Sequence, residues 1–186
     1  MSDTASNMRG SKFLRFRCTH CGNCCTDTIV PVTHHDLKRL SKGTGLKAER
    51  FCAFYKADDF DDGGEGLGWV ELAEGRRVLG LKKQDKADAC FFFKDERCSV
   101  YEHRPITCRV YPFQLDFNRQ GQVTRMSIND AVECPYELDS SQKLAEILKN
   151  WNADDRQDDA YFRKVEAWNR RHKGGTAEEF LRFLGV

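Results

Sequence analysis

The stretch Cys18-Thr19-His20-Cys21-Gly22-Asn23-Cys24-Cys25 places four of the chain's nine cysteines within eight residues, and nothing else in the sequence limits the fold as strongly. Thiols this dense accumulate negative charge as they ionise. A cation must neutralise that charge, and metal binding is what deprotonates a thiol outright. The two-residue gap is the knuckle spacing of zinc sites and iron–sulfur loops, because it turns two sulfurs toward one centre. Gly22 supplies the backbone freedom such a turn requires. Nine is an odd number, so complete internal pairing as disulfides is impossible. A reducing compartment, which the sequence favours below, also disfavours disulfides and leaves ligation, catalysis or burial.

Cys90, Cys98, Cys108 and Cys134 follow at wider intervals and bring the set to eight. Eight thiols suit two four-thiolate sites, or one cluster plus a separate ion. Cys24 and Cys25 are adjacent, so their side chains are expected to diverge and serve two centres, or distinct atoms of one polynuclear centre. Cys134-Pro135 echoes the cysteine-proline end of bacterial ferredoxin motifs. Cys52, between Phe51 and Phe54, reads as the odd buried thiol, since free cysteine is often an ordinary buried hydrophobe. His20 is an alternative ligand with less claim than the thiols. His34, His35, His103 and His172 read as ordinary polar positions. Tyr101, Arg104 and Arg109 flank Cys98 and Cys108, where their donors would offset the charge of metal-bound thiolates.

Cys18-x2-Cys21-Gly22-x-Cys24-Cys25, then Cys90-Phe91 and Cys98, then Tyr101-x2-Arg104-Pro105-x2-Cys108-Arg109-x-Tyr111-Pro112-Phe113 resembles the CxxCxxCC family of zinc- or iron-chelating domains. Thr33-x2-Asp36-Leu37-x-Arg39-Leu40 fits the helix that follows the double cysteine there. The resemblance covers about residues 16 to 135 and implies metal binding through the eight cysteines. Similar patterns occur in flagellin lysine methylases, which are thought to carry an iron–sulfur cluster, although the chain lacks the additional length of those enzymes. All-thiolate tetrahedral sites suit zinc and iron–sulfur alike. The resemblance tilts the choice toward iron–sulfur for at least one centre.

Composition narrows the function classes. Thirty basic against 29 acidic residues leave a net charge of +1, so no strong field attracts nucleic acid or an anionic membrane. No apolar run approaches the roughly 18 residues that span a bilayer. The first residues lack the basic and apolar regions of a signal peptide, so a cytoplasmic location is expected. The sequence has no G-x-G-x-x-G after a strand, no G-x4-G-K-[ST] and no H-E-x-x-H. Three classes of function are therefore carried forward: a metal-binding protein, an iron–sulfur redox or protein-modifying enzyme, and a module whose metal shapes a surface for a partner protein.

The pattern along the chain predicts an α+β fold. Residues 1–12 read as a disordered lead-in, 13–138 as the cysteine-cluster domain with short antiparallel strands, and 139–186 as a helical segment packed on it. Thr33 with Asp36 predicts a capped helix from His34 to about Ser41, closed by Gly43 and Gly45. Hairpins are expected over 69–81 and 113–128, and an acidic, glycine-rich loop over 58–68. Leu144, Ile147, Leu148 and Trp151 form one helical stripe. Tyr161, Phe162, Val165 and Trp168 form another beyond the polar stretch Asp154–Asp159. Thr176 with Glu179 caps a last helix.

Overall fold

The computed structural model of the chain describes residues 13–14, 17–19, 21–26, 28–61, 63–84, 87–128, 136–137, 142–172 and 174–186. The lead-in over 1–12, Cys134 and His20 lie outside the described residues. Strands Phe13–Leu14 (β1) and Arg17–Cys18 (β2) precede the knuckle, and helix His34–Thr44 (α1) follows it. Cys52–Tyr55 (β3), Trp69–Leu72 (β4) and Gly75–Leu81 (β5) come next. Four short strands then carry the middle cysteines: Lys83–Gln84 (β6), Ala87–Cys90 (β7), Phe93–Lys94 (β8) and Arg97–Cys98 (β9). Beyond them lie Ile106–Val110 (α2), Phe113–Phe117 (β10), Val123–Ile128 (β11), Tyr136–Glu137 (β12), Gln142–Lys143 (β13), Leu144–Arg171 (α3) and Ala177–Leu184 (α4). The architecture is mixed α+β with short antiparallel strand pairs and a helical C-terminal segment, as the sequence implies.

Both expected hairpins form. β5 is the middle strand of a three-stranded sheet ordered β3-β5-β4, and β10 pairs with β11 with a register slip at Asp116/Phe117. β3 has no counterpart in the sequence reading because Cys52-Ala53-Phe54-Tyr55 lacks polar/apolar alternation. On the β4 side of β5, Val30–Val32 continues the ladder: Leu81 N–H donates to the Val30 carbonyl and Val32 N–H to that of Leu79. The chain leaving the knuckle is thereby stitched onto the main sheet.

α1 carries the expected capping box, with the Thr33 side chain accepting from Asp36 N–H. It runs three residues beyond the expected end. Gly45, in the left-handed conformation, is the cap, and Gly43 is helical. Gly43 serves close packing instead: a Cβ there would stand 2.3 Å from the His103 ring. α1 therefore lies hard against the turn Tyr101–His103 that precedes α2.

The two apolar stripes belong to one continuous 28-residue helix, α3. Its first stripe packs with Leu115 and Met126 of β10 and β11 around Ile147. The second joins the main core, where Trp168, Tyr161 and Val165 meet Leu37, Leu40, Phe51, Val70, Phe180 and Leu184. The edge of β4 is satisfied by side chains of α3. Asn169 accepts from Glu71 N–H and donates to the Trp69 carbonyl, and Trp168 Nε1 donates to the carbonyl of Glu71.

The polar stretch stays helical because it passes α2, where the Thr107 hydroxyl donates to Asp154. Burial raises Asp154 to about 6 and Asp158 to about 7, with Asp36 adding repulsion to both and Asp154 adding to Asp158. A carboxyl raised on folding binds its proton more tightly in the native state than in the unfolded chain, where it titrates near 4. Its contribution to stability therefore falls as pH rises from about 4 to 7. Asp158→Asn should gain stability relative to the native chain between pH 5 and pH 8. Urea midpoints measured for both at each pH check this; an unchanged difference contradicts it.

Candidate metal centre

Each thiol is placed by a different local device. Cys18 sits in β2, whose partner in the ladder is Tyr136. Gly22, with φ +85°, caps the 3-10 turn Asn23–Cys25, and its missing Cβ leaves room for the Phe93 ring, which would otherwise lie 2.4 Å away. The knuckle is thus pressed onto the β8–β9 hairpin. An antiparallel bridge between Thr26 and Ala89 makes Cys25 and Cys90 neighbours across the two segments. Gln84 Nε2 donates to the carbonyls of Cys90 and Phe93, tying β7 to the hairpin that presents Cys98. That hairpin turns through Asp95 and Glu96, both with positive φ.

Cys108 lies on α2, and α2 is anchored by Asp36. The Asp36 carboxylate has no exposed surface and accepts from Thr33 N–H, the Thr33 hydroxyl, Arg39 and Ile106 N–H. The last bond, 2.9 Å long, fixes the first turn of α2 to the start of α1.

Cys18, Cys21, Cys24, Cys25, Cys90, Cys98 and Cys108 all line one cavity of about 320 Å3. Tyr101, Arg104 and Arg109 line it too, and so do Glu146, Ile147, Lys149 and Asn150 of α3, which sequence spacing gave no means of finding. Cys52 is absent from the lining and buried in the main core. Of the described histidines, none lines the cavity. Among the described residues, no three Cys, His, Asp or Glu side chains are close enough together to hold a single ion. The thiols surround a volume rather than converge on a point.

The adjacent cysteines differ from expectation. Their sulfurs do not diverge but lie 3.9 Å apart, because the tight 3-10 turn keeps both on the cavity side. Sulfurs on one tetrahedral zinc, bonded at about 2.3 Å, stand roughly 3.8 Å apart, so sharing one metal atom is sterically open to this pair. The flanking residues act in different ways. Arg104 stacks its guanidinium on the Tyr101 ring at 3.9 Å, and its charge favours the thiolates of Cys24 and Cys98. Arg109 spends donors on the carbonyls of Glu102 and Arg104, bracing the link between Cys98 and Cys108.

Protonation follows from burial and mutual charge. The hydrogen bond from Cys25 lowers Cys24 to about 7 against the opposing effect of burial, and the same bond raises Cys25. Burial pushes Cys90 up to about 11 and raises Cys98 and Cys108, with neighbouring thiols adding to each. These thiols resist ionising together unless a cation compensates them.

A family model named "Putative zinc- or iron-chelating domain", CxxCxxCC, matches residues 17–135, well over half of the chain. The chain belongs to this family. The matched region contains all seven thiols of the cavity wall. No curated protein and no solved structure matches the chain. The donor set fits a zinc- or iron-chelating domain: soft sulfur groups dominate one cavity wall that carries a single carboxylate, Glu146, and none of the described histidines, and such groups select zinc or iron over hard cations.

The anchoring of α2 has a measurable consequence. Removing a buried carboxylate that pairs with Arg39 and holds two backbone N–H groups strands all its donors, so Asp36→Ala should cost on the order of 3–5 kcal/mol. The exposed capping box at Thr176 and Glu179 has the same local pattern, and Thr176→Ala should cost far less. Urea denaturation of both variants tests the contrast; equal losses would mean that Asp36 acts only as a local cap.

Proposed function

We propose that this chain binds zinc or iron through the thiols of Cys18, Cys21, Cys24, Cys25, Cys90, Cys98 and Cys108, together with Cys134, and that at least one centre is an iron–sulfur cluster. The observation that carries the reading is the convergence of seven thiols, from segments ninety residues apart in sequence, on one cavity that excludes Cys52. The wall of the cavity carries seven thiols, more than the four that one tetrahedral ion takes, which favours a polynuclear centre or more than one ion. The bound metal supplies the positive charge that lets the buried thiols ionise together. The chain's own part is to hold seven sulfurs around that volume, to place Arg104 beside Cys24 and Cys98, and to brace Cys98 against Cys108 through Arg109.

A metal-binding role is favoured over catalysis because thiols, which the metal would occupy, are the largest class of titratable group lining the cavity. Outside the thiols, the remaining wall is largely aromatic and aliphatic, with Val30, Leu81, Phe92, Phe93 and Val100.

Protein purified without oxygen should be coloured, absorb in the visible range and contain acid-labile sulfide. Colourless protein with stoichiometric zinc would overturn the iron–sulfur part and keep the chelating part. Cys108→Ser should lose metal and stability together, because serine is a poor substitute for a thiolate. Cys52, which burial pushes up to about 12, stands apart. Cys52→Ser should retain full metal at a cost of about 1–3 kcal/mol for an unpaired hydroxyl in an apolar site. Metal content and melting curves of the two variants decide; equal metal loss would contradict the assignment.

A further inference from the structure

We propose that the thiols of the cavity divide into two ends with different tasks: Cys25, Cys90, Cys98 and Cys108 hold metal permanently at the buried end, whereas Cys18 and Cys21 hold metal that exchanges with an outside thiol or chelator at the open end. The inference rests on the metal-binding reading above and adds which thiols retain metal and where metal enters.

The buried end is defined by four independent attachments to the main core. Cys90 is part of that core, and Cys25, Cys98 and Cys108 pack against it. The Thr26–Ala89 bridge sets Cys25 beside Cys90, and Gln84 fastens the Cys90 strand to the hairpin of Cys98. α2 delivers Cys108 under the control of Asp36. The charges of Cys24, Cys90 and Cys98 all act on both Cys25 and Cys108, so Cys24 is in reach of this group as well.

The open end has different supports. Cys18 leans on the second, smaller core around Leu115, Met126 and Ile147, away from the main one. Cys21 is exposed. It lines the cavity and also an outer groove, whose floor includes Thr19, Asn23, Phe93 and Arg97. Phe93, Cys98 and Tyr101 also border both spaces, and Cys98 is the one thiol of the buried set on the groove wall. Cys24, 3.9 Å from Cys25, stands at the junction of the two ends.

Metal leaves a thiolate site when an incoming ligand bonds to the metal as a protein sulfur lets go, with no change of oxidation state. An incoming ligand in the outer groove can reach Cys21 in this way. The same approach to Cys90 and Cys108 is blocked by the core packed around them. Sites that retain an accessible coordination position are the ones that exchange ligands, whereas closed sites are structural.

The test uses the full chain loaded with cadmium(II), a soft ion that thiolate sites accept and that gives a separate 113Cd resonance for each environment. The native protein should show more than one thiolate-type resonance and release cadmium to excess EDTA in a fast and a slow fraction. Cys21→Ser should lose the fast fraction and its resonance while the slow fraction and the melting transition stay. Cys90→Ser should lose the slow fraction. A single release rate for all the metal in the native protein overturns the division, as does loss of both fractions together in Cys21→Ser. The Cys21→Ser result decides by itself if Cys90→Ser does not fold. Failure of the native protein to retain any cadmium would overturn the metal-binding reading along with the division; single-rate release of tightly held cadmium overturns the division alone.

Discussion

Asp36 gathers its hydrogen bonds in a place with no water to replace any of them, and the arrangement of the cysteine-rich half hangs on that carboxylate. Its partners come from α1, from the residue that caps α1, and from the first turn of α2 seventy residues later. A buried ionised carboxylate is tolerable only if fully compensated. Once Arg39, Thr33 and Ile106 compensate it, the ends of two helices can no longer move independently. α2 then delivers Cys108 to the cavity, and the neighbouring Arg109 braces the turn from Cys98.

The thiols impose the opposite problem. Burial and the neighbouring thiols raise Cys90, Cys98 and Cys108, while the hydrogen bond with Cys25 lowers Cys24 to about 7. A wall of such groups has little to offer a core made only of hydrophobic contacts. It makes physical sense as a place where a metal displaces the protons and where the binding free energy becomes folding free energy. Family membership points the same way, since the matched region is a zinc- or iron-chelating domain. No helix among the described residues is long and apolar enough to cross a membrane.

Much of this was legible in the residues and some was not, for reasons of range. The capping boxes at Thr33 and Thr176 and the two hairpins are local patterns, and all four appear where spacing puts them. Flanking aromatics also marked Cys52 as a buried thiol, and among the described cysteines it is the one outside the cavity. The same local view read Asp36 only as a cap, because its bond to Ile106 depends on a fold that brings residue 106 alongside. It took Gly43 for a helix end, although its lack of a side chain serves the contact with His103. It separated α3 into two stripes, because the helix serves two different cores and turns a polar face to α2 between them. The adjacent sulfurs of Cys24 and Cys25 were expected to diverge; the 3-10 turn brings them together instead.

Metal content measured together with thiol reactivity addresses the central claim most directly. Protein purified without oxygen should carry stoichiometric iron or zinc, and under native conditions a thiol reagent should label few of its nine cysteines. Removing the metal with a chelator should expose the cavity thiols to the same reagent. Substoichiometric metal, with most thiols reacting freely before any chelator is added, would contradict the account.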